Sequence, residues 1–337
     1  MSGIGPIFER LILHIGAHKT GTTSIQQSLT GNPDLAAAGV YMPTDRGRLL
    51  GHFTQNIGRI YPGLAAQNPP DALRGQCTAA FEALAAAAAA PAFDQALFSC
   101  EELLFLPLAD IAAMAAKLRP LAAQIEVVYY VRHPKARLPS LLSEMIKSRW
   151  ATLDTDLAPL IENYAGIFAP WTAAFGADAL RVRPFRGPDG TADPVEEFCA
   201  AIGVPELAKR LPPRRLNRGL SAPAVAIKSA LNATGRIKTH NPRLVRALEA
   251  IDGPKFALPA ARLRPLEPEI ARQLAWLAAH HNVRPAPPPE RPDPDAPTFN
   301  EAALQSLGAL LLDQSEEEAR LKARVKTLRA RLDGQTR

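Results

Sequence analysis

The chain has 337 residues, 47% of them hydrophobic and 21% charged, and carries a net charge of +6. This composition excludes general disorder, and no stretch reaches the roughly 20 consecutive apolar residues that a membrane-spanning helix needs. The length suits one large core with appendages, and the basic excess is modest: it would serve nucleic acid, an anionic glycan or a polyphosphorylated small molecule. Scattered basic residues and only 6% aromatics argue against a nucleic-acid binder.

In chain order, the first apolar run is Leu11–Ile15, a strand preceded by Glu9 and Arg10 and too short for the apolar core of a secretory signal, so the protein is expected to stay in the cytoplasm. The strand ends at Gly16, and Thr23–Leu29 reads as the start of a helix. The alanine-rich run Ala83–Ala90, flanked by Glu82, Pro91 and Asp94, reads as a soluble helix. Further strands are predicted at Ala96–Ser99, Ile125–Val131 and Leu180–Phe185, with helices at Ile111–Leu118, Ser140–Ser148 and Leu160–Phe175 between them. Continuous apolar strands alternating with helices predict an α/β fold, a doubly wound and mostly parallel sheet with helices on both faces. Ligands of such sheets gather at the carboxyl ends of the strands.

Beyond residue 200 the pattern is helical, at Ala222–Leu231, Pro242–Ile251 and Pro268–His281. Residues 285–297 form a proline-rich spacer, which separates an α/β domain over 8–284 from a C-terminal helix over 298–335. One heptad frame in that helix places Leu304, Leu307, Leu311, Gln314, Glu318, Leu321, Val325, Leu328 and Leu332 on a single seam. The seam serves either a coiled coil that joins two copies of the chain or an amphipathic helix folded back on the α/β domain. The three cysteines, Cys77, Cys100 and Cys199, form no CxxC pair, so neither a zinc site nor a disulfide framework is expected, and a reducing compartment fits.

The chemistry concentrates in GAHKTGTTS, Gly16–Ser24, between the first strand and its helix. Glycines let the backbone curl, N–H groups of the loop and helix start point at an anion, Lys19 adds a charge, and Thr20, Thr22, Thr23 and Ser24 add neutral hydroxyl donors. A nucleotide-triphosphatase loop has its Lys after the second Gly, whereas here Lys19 precedes Gly21. This order resembles the 5'-phosphosulfate loop of the sulfotransferase superfamily that uses 3'-phosphoadenosine-5'-phosphosulfate (PAPS). The resemblance implies that Lys19 contacts the phosphosulfate near its bridging oxygen and that Gly21, Thr22, Thr23 and Ser24 hold the 5'-phosphate. His18 is either a donor to the sulfuryl oxygens or an incidental loop residue.

In VVYYVRHPKARLPSLLSEMIK, Arg132 ends a strand and Ser140 follows eight residues later, the pair with which the superfamily clamps the 3'-phosphate. The resemblance covers most of residues 10–285. By the same comparison Arg214, Arg215 and Arg218 close over the nucleotide, unless they form a solvated basic loop. Transfer to an alcohol needs a group that takes the hydroxyl proton. FSCEELLF is similar to the SSE segment of bacterial members, which assigns that role to Glu101, with Cys100 standing where the family has Ser. Glu102 and His52 are the other candidates, the latter because a neutral imidazole is a competent base near neutral pH.

The sequence therefore points to a sulfotransferase that moves a sulfuryl group from PAPS to a hydroxyl acceptor, a carbohydrate by the resemblance, and releases adenosine 3',5'-bisphosphate (PAP). It needs no metal. Two other readings stay open: a nucleotide or sugar kinase on the same kind of sheet, and a non-catalytic nucleotide-binding scaffold carrying a coiled coil.

Overall fold

The computed structural model describes residues 7–148, 151–187, 189–211, 219–235 and 241–289, and in the C-terminal stretch 306, 307, 310, 314, 316–318 and 320–327. The chain divides into two compact units, one formed by residues 1–137, 158–216 and 266–289 and the other by 138–157, 217–265 and 290–337.

The first unit is built on a five-stranded, all-parallel sheet of β1 (Phe8–Gly16), β2 (Val40–Tyr41), β3 (Gln95–Ser99), β4 (Ala122–Val131) and β5 (Leu180–Pro184). The spatial order is β2-β3-β1-β4-β5, so β1 is central and the chain leaves it first toward β3 and later toward β4. Side chains alternate across the sheet, and the burial follows. Leu11, Leu13, Ile15, Phe98, Val127 and Tyr129 belong to one apolar cluster with Phe168 and Trp171, while Ile12, Leu97, Val128 and Tyr130 belong to another with Ile25, Leu29 and Phe198. Both faces are thus covered, as continuous apolar strands require.

The helices of this unit used below are α1 (Thr22–Leu29), α2 (Arg46–His52), α3 (Pro70–Ala88), α4 (Leu108–Leu118), the start of α5 (Pro134–Lys147), α6 (Tyr164–Phe175) and α7 (Pro194–Ala201). Two of them depart from the sequence pattern. Helix α5 begins six residues before Ser140, because Pro134 is well tolerated at a helix start, and it runs on through Pro139 despite the backbone bond lost and the crowding of the preceding turn that an interior proline brings. Helix α6 starts at Tyr164 rather than Leu160, since Asn163 accepts the N–H of Gly166 and caps it there, and Ala158–Leu160 forms a separate short turn.

The second unit contains the rest of α5 with α8 (Ala222–Ala233) and α9 (Pro242–Glu249). Leu142, Ile146, Ala224, Val225, Val245 and Leu248 are buried in it, and the Asn232 amide donates to the carbonyls of Ile146 and Ala151 at 2.9 and 2.8 Å. Of the proline-rich spacer, residues 285–289 are described and have no regular structure. On the heptad seam Leu307, Gln314, Glu318, Leu321 and Val325 lie in helical stretches, whereas Leu304, Leu311, Leu328 and Leu332 lie outside the described residues. No helix among the described residues is long and apolar enough to cross a membrane.

Candidate active site

Because all five strands run the same way, the segments after β1, β3, β4 and β5 emerge at one edge of the sheet. They are the loop 17–21, the turn Cys100–Glu102, Arg132, and Phe185 with Arg186. The crevice beside β1, where the chain turns from one side of the sheet to the other, is where such folds bind ligands.

The loop after β1 is wound onto itself. The hydroxyls of Thr20 and Thr22 both donate to the Ala17 carbonyl, at 2.5 and 3.2 Å, and both residues are buried. These two threonines brace the loop from inside, while Thr23 is exposed and Ser24 half-buried. Lys19 adopts a left-handed backbone with φ 68°, and Gly21 has φ 79°. A Cβ at Gly21 would meet Pro194 Cβ at 3.0 Å and Phe185 Cε2 at 3.3 Å, so this position needs glycine for its angle and for its space. Helix α1 has no acidic residue in its first turn and no side-chain cap. Its first internal bond runs from Ile25 N–H to the Gly21 carbonyl, which leaves the N–H groups of Thr22, Thr23 and Ser24 at a helix end that favours negative charge.

Arginines hold this loop from the side of β4. Arg132 donates to the Lys19 carbonyl at 3.1 Å, and its guanidinium lies 5.7 Å from the centroid of the Phe185 ring. Burial lowers its pKa, and the charges of Arg137 and Arg186 lower it further. Among the described residues no carboxylate forms an ion pair with it. Arg137 differs. It is buried, paired with Glu162 at 3.1 Å, and donates to the carbonyls of Leu160 and His18 at 3.1 and 3.4 Å. Glu162 also accepts the Tyr129 hydroxyl at 2.7 Å, so the Arg137 side chain is committed to structure.

On the side of β3, Glu101 Oε1 lies 3.5 Å from Nδ1 of His18. Burial would raise the Glu101 carboxyl, but the hydrogen bond and charge of His18, with Thr22 nearby, outweigh it, and its pKa falls below the ordinary value. Glu101 is therefore a carboxylate at neutral pH, about a quarter exposed, next to the loop 17–21. Glu102 faces other partners. It accepts from the Cys100 thiol at 3.4 Å and bonds the Tyr61 hydroxyl, which in turn bonds Arg46. Burial, followed by the nearby Glu102, pushes the Cys100 thiol well up, so it stays protonated.

The structure thus brings Lys19, Gly21, Thr22 and His18 together with Arg132 and Glu101. It does not bring His52 to them: that ring stacks on Phe81 at 4.3 Å and its Nε2 lies 3.0 Å from Lys117 Nζ, on α3 and α4. Burial and Lys117 lower its pKa. Ser140 is a half-buried residue of α5 in the second unit, and Arg214, Arg215 and Arg218 lie outside the described residues. Sequence reasoning missed Arg137, Arg186 and Tyr61. Arg137 carried a signal, a second arginine in the first turn after Arg132, but its carboxylate partner comes from a distant segment.

The sequence matches no known family profile and no curated protein. Among solved structures it is similar to a sulfotransferase from Alicyclobacillus acidocaldarius, at 15% identity over 70% of this chain and 98% of that one, with a TM-score of 0.35. Similarity at that level says nothing of chemistry.

Proposed function

We propose that this protein is a cytoplasmic sulfotransferase that moves a sulfuryl group from PAPS to the hydroxyl of an acceptor, a carbohydrate by the sequence resemblance, and releases PAP. The observation that carries the reading is Arg132, a guanidinium at the end of β4 that donates at 3.1 Å to the Lys19 carbonyl of a loop whose Lys precedes its Gly. Three buried, free cysteines suit a reducing cytoplasm.

In this reading the N–H groups at the start of α1 hold the 5'-phosphate, and Arg132 holds the 3'-phosphate, to which the resemblance also assigns Ser140. Glu101 takes the acceptor's proton as the hydroxyl oxygen bonds to sulfur. The bond from sulfur to the bridging oxygen breaks in the same step, its electron pair stays on the departing phosphate, and Lys19 stabilises the charge that develops there. Glu101 suits this role because it is ionised and adjoins the loop, whereas Glu102 is engaged by Tyr61 and Cys100.

Incubation of the full chain with radiolabelled PAPS and a panel of mono- and polysaccharides tests the proposal. The expected result is a labelled product with the natural chain and none with Glu101→Gln. Equal transfer by Glu101→Gln moves the base to Glu102. Phosphorylation of the same panel from ATP, with no sulfuryl transfer, overturns the reading in favour of a kinase.

A further inference from the structure

Among the described residues four large apolar side chains are exposed, and one of them, Phe105 at 60%, lies beside the candidate site. It closely follows Glu101 in the chain. In the short helix Glu101–Phe105, Leu103 is buried and Leu104 packs toward Gly16, leaving Phe105 on the solvent side, and Pro107 then starts α4 with Leu108 as its first residue. Single exposed apolar residues are commonplace, but this ring is in contact with the site. The Phe105 ring lies 5.5 Å from the His18 ring, centroid to centroid and tilted by 30°, and the same imidazole lies 3.5 Å from Glu101. Whatever covers Phe105 therefore sits beside the group that takes the acceptor's proton.

We propose that Phe105 forms the acceptor platform, and that the acceptor carries an aromatic group next to its reactive hydroxyl. The inference rests on the sulfotransferase reading and narrows its acceptor. Binding sites of this kind combine an apolar wall with a few placed polar groups. Here the wall is Phe105, and the polar groups are His18 and Glu101. An aromatic substituent that covers the exposed ring gains from leaving water and from ring stacking.

The test uses the full chain saturated with PAP, titrated by calorimetry with phenyl β-glucoside and with methyl β-glucoside, which share every hydroxyl. The phenyl compound is expected to bind about tenfold more tightly, the return on burying one ring partly. Phe105→Ala, at an exposed position that leaves the core intact, removes that preference and leaves the PAP dissociation constant unchanged, and Phe105→Tyr keeps the preference. Equal affinities, no binding of either glucoside, or a preference that survives in Phe105→Ala overturns the inference. So does a loss of PAP affinity in Phe105→Ala, which gives the ring to the donor's base instead. Failure of the natural chain to bind PAP at all sinks the underlying reading, a result distinguishable from every one of these.

Discussion

Replacing His14 by Asn keeps a hydrogen-bonding group near the Ser99 hydroxyl and removes a titration. The imidazole is fully buried on β1, directly behind the loop, with Nδ1 at 2.8 Å from Ser99 Oγ and the rings of Tyr130 and Phe198 against it. Burial pulls its pKa from 6.5 to about 4, against a smaller opposing pull from Glu101. Unfolding restores the ordinary value, so between pH 6.5 and 4 the unfolded chain binds a proton that the folded chain refuses. The contribution is therefore complete above 6.5 and lost as pH falls toward 4. The difference, 6.5 − 4 = 2.5 pH units at about 1.36 kcal/mol each, amounts to about 3 kcal/mol. Urea unfolding of both proteins at a series of pH values across this window reads the effect. The natural chain is expected to lose about 3 kcal/mol more than His14→Asn on acidification, whatever constant cost the substitution adds. Parallel curves for the two proteins would refute the claim that a neutral, sealed imidazole backs the loop.

Three further outcomes follow from the site. Lys19→Ala abolishes turnover in the radiolabelled transfer assay while the circular dichroism of the folded chain is unchanged. Arg132→Ala weakens PAP by roughly 10- to 100-fold in calorimetry, the loss of a hydrogen bond to a charged group worth about 1.5–3 kcal/mol. Glu162→Ala, which strands the buried Arg137 charge, lowers stability by about 3–5 kcal/mol in chemical denaturation, far more than removal of an exposed pair such as Arg272–Glu269.

Much of the sheet was legible because three of its strands contain continuous apolar runs between helices, as a sheet covered on both faces demands, and β5 (LRVRP) shows a short branched-apolar alternation. The fifth, Val40–Tyr41, is two residues long at the sheet edge and leaves no such run. Prolines misled at α5, where Pro134 and Pro139 look like breaks yet sit within one helix. The position of the loop after β1 was legible because its signal is local: glycines, a lysine and hydroxyls between one strand and one helix. What its side chains do was not. Thr20 and Thr22 turn inward to the Ala17 carbonyl, and that choice depends on the curl of the backbone rather than on residue type. The carboxylates show the same limit. Glu101 and Glu102 are adjacent in sequence, and only the partners supplied by distant segments, His18 for one and Tyr61 for the other, separate their roles.

The most direct test of the central claim is calorimetric titration of the full chain with PAP, alongside ATP with magnesium. Tight binding of PAP with little response to ATP is the expected result, since the proposed reading assigns Arg132 and the loop to two separate phosphate groups on one nucleotide. Binding of ATP with magnesium and none of PAP would contradict the account and put a kinase in its place.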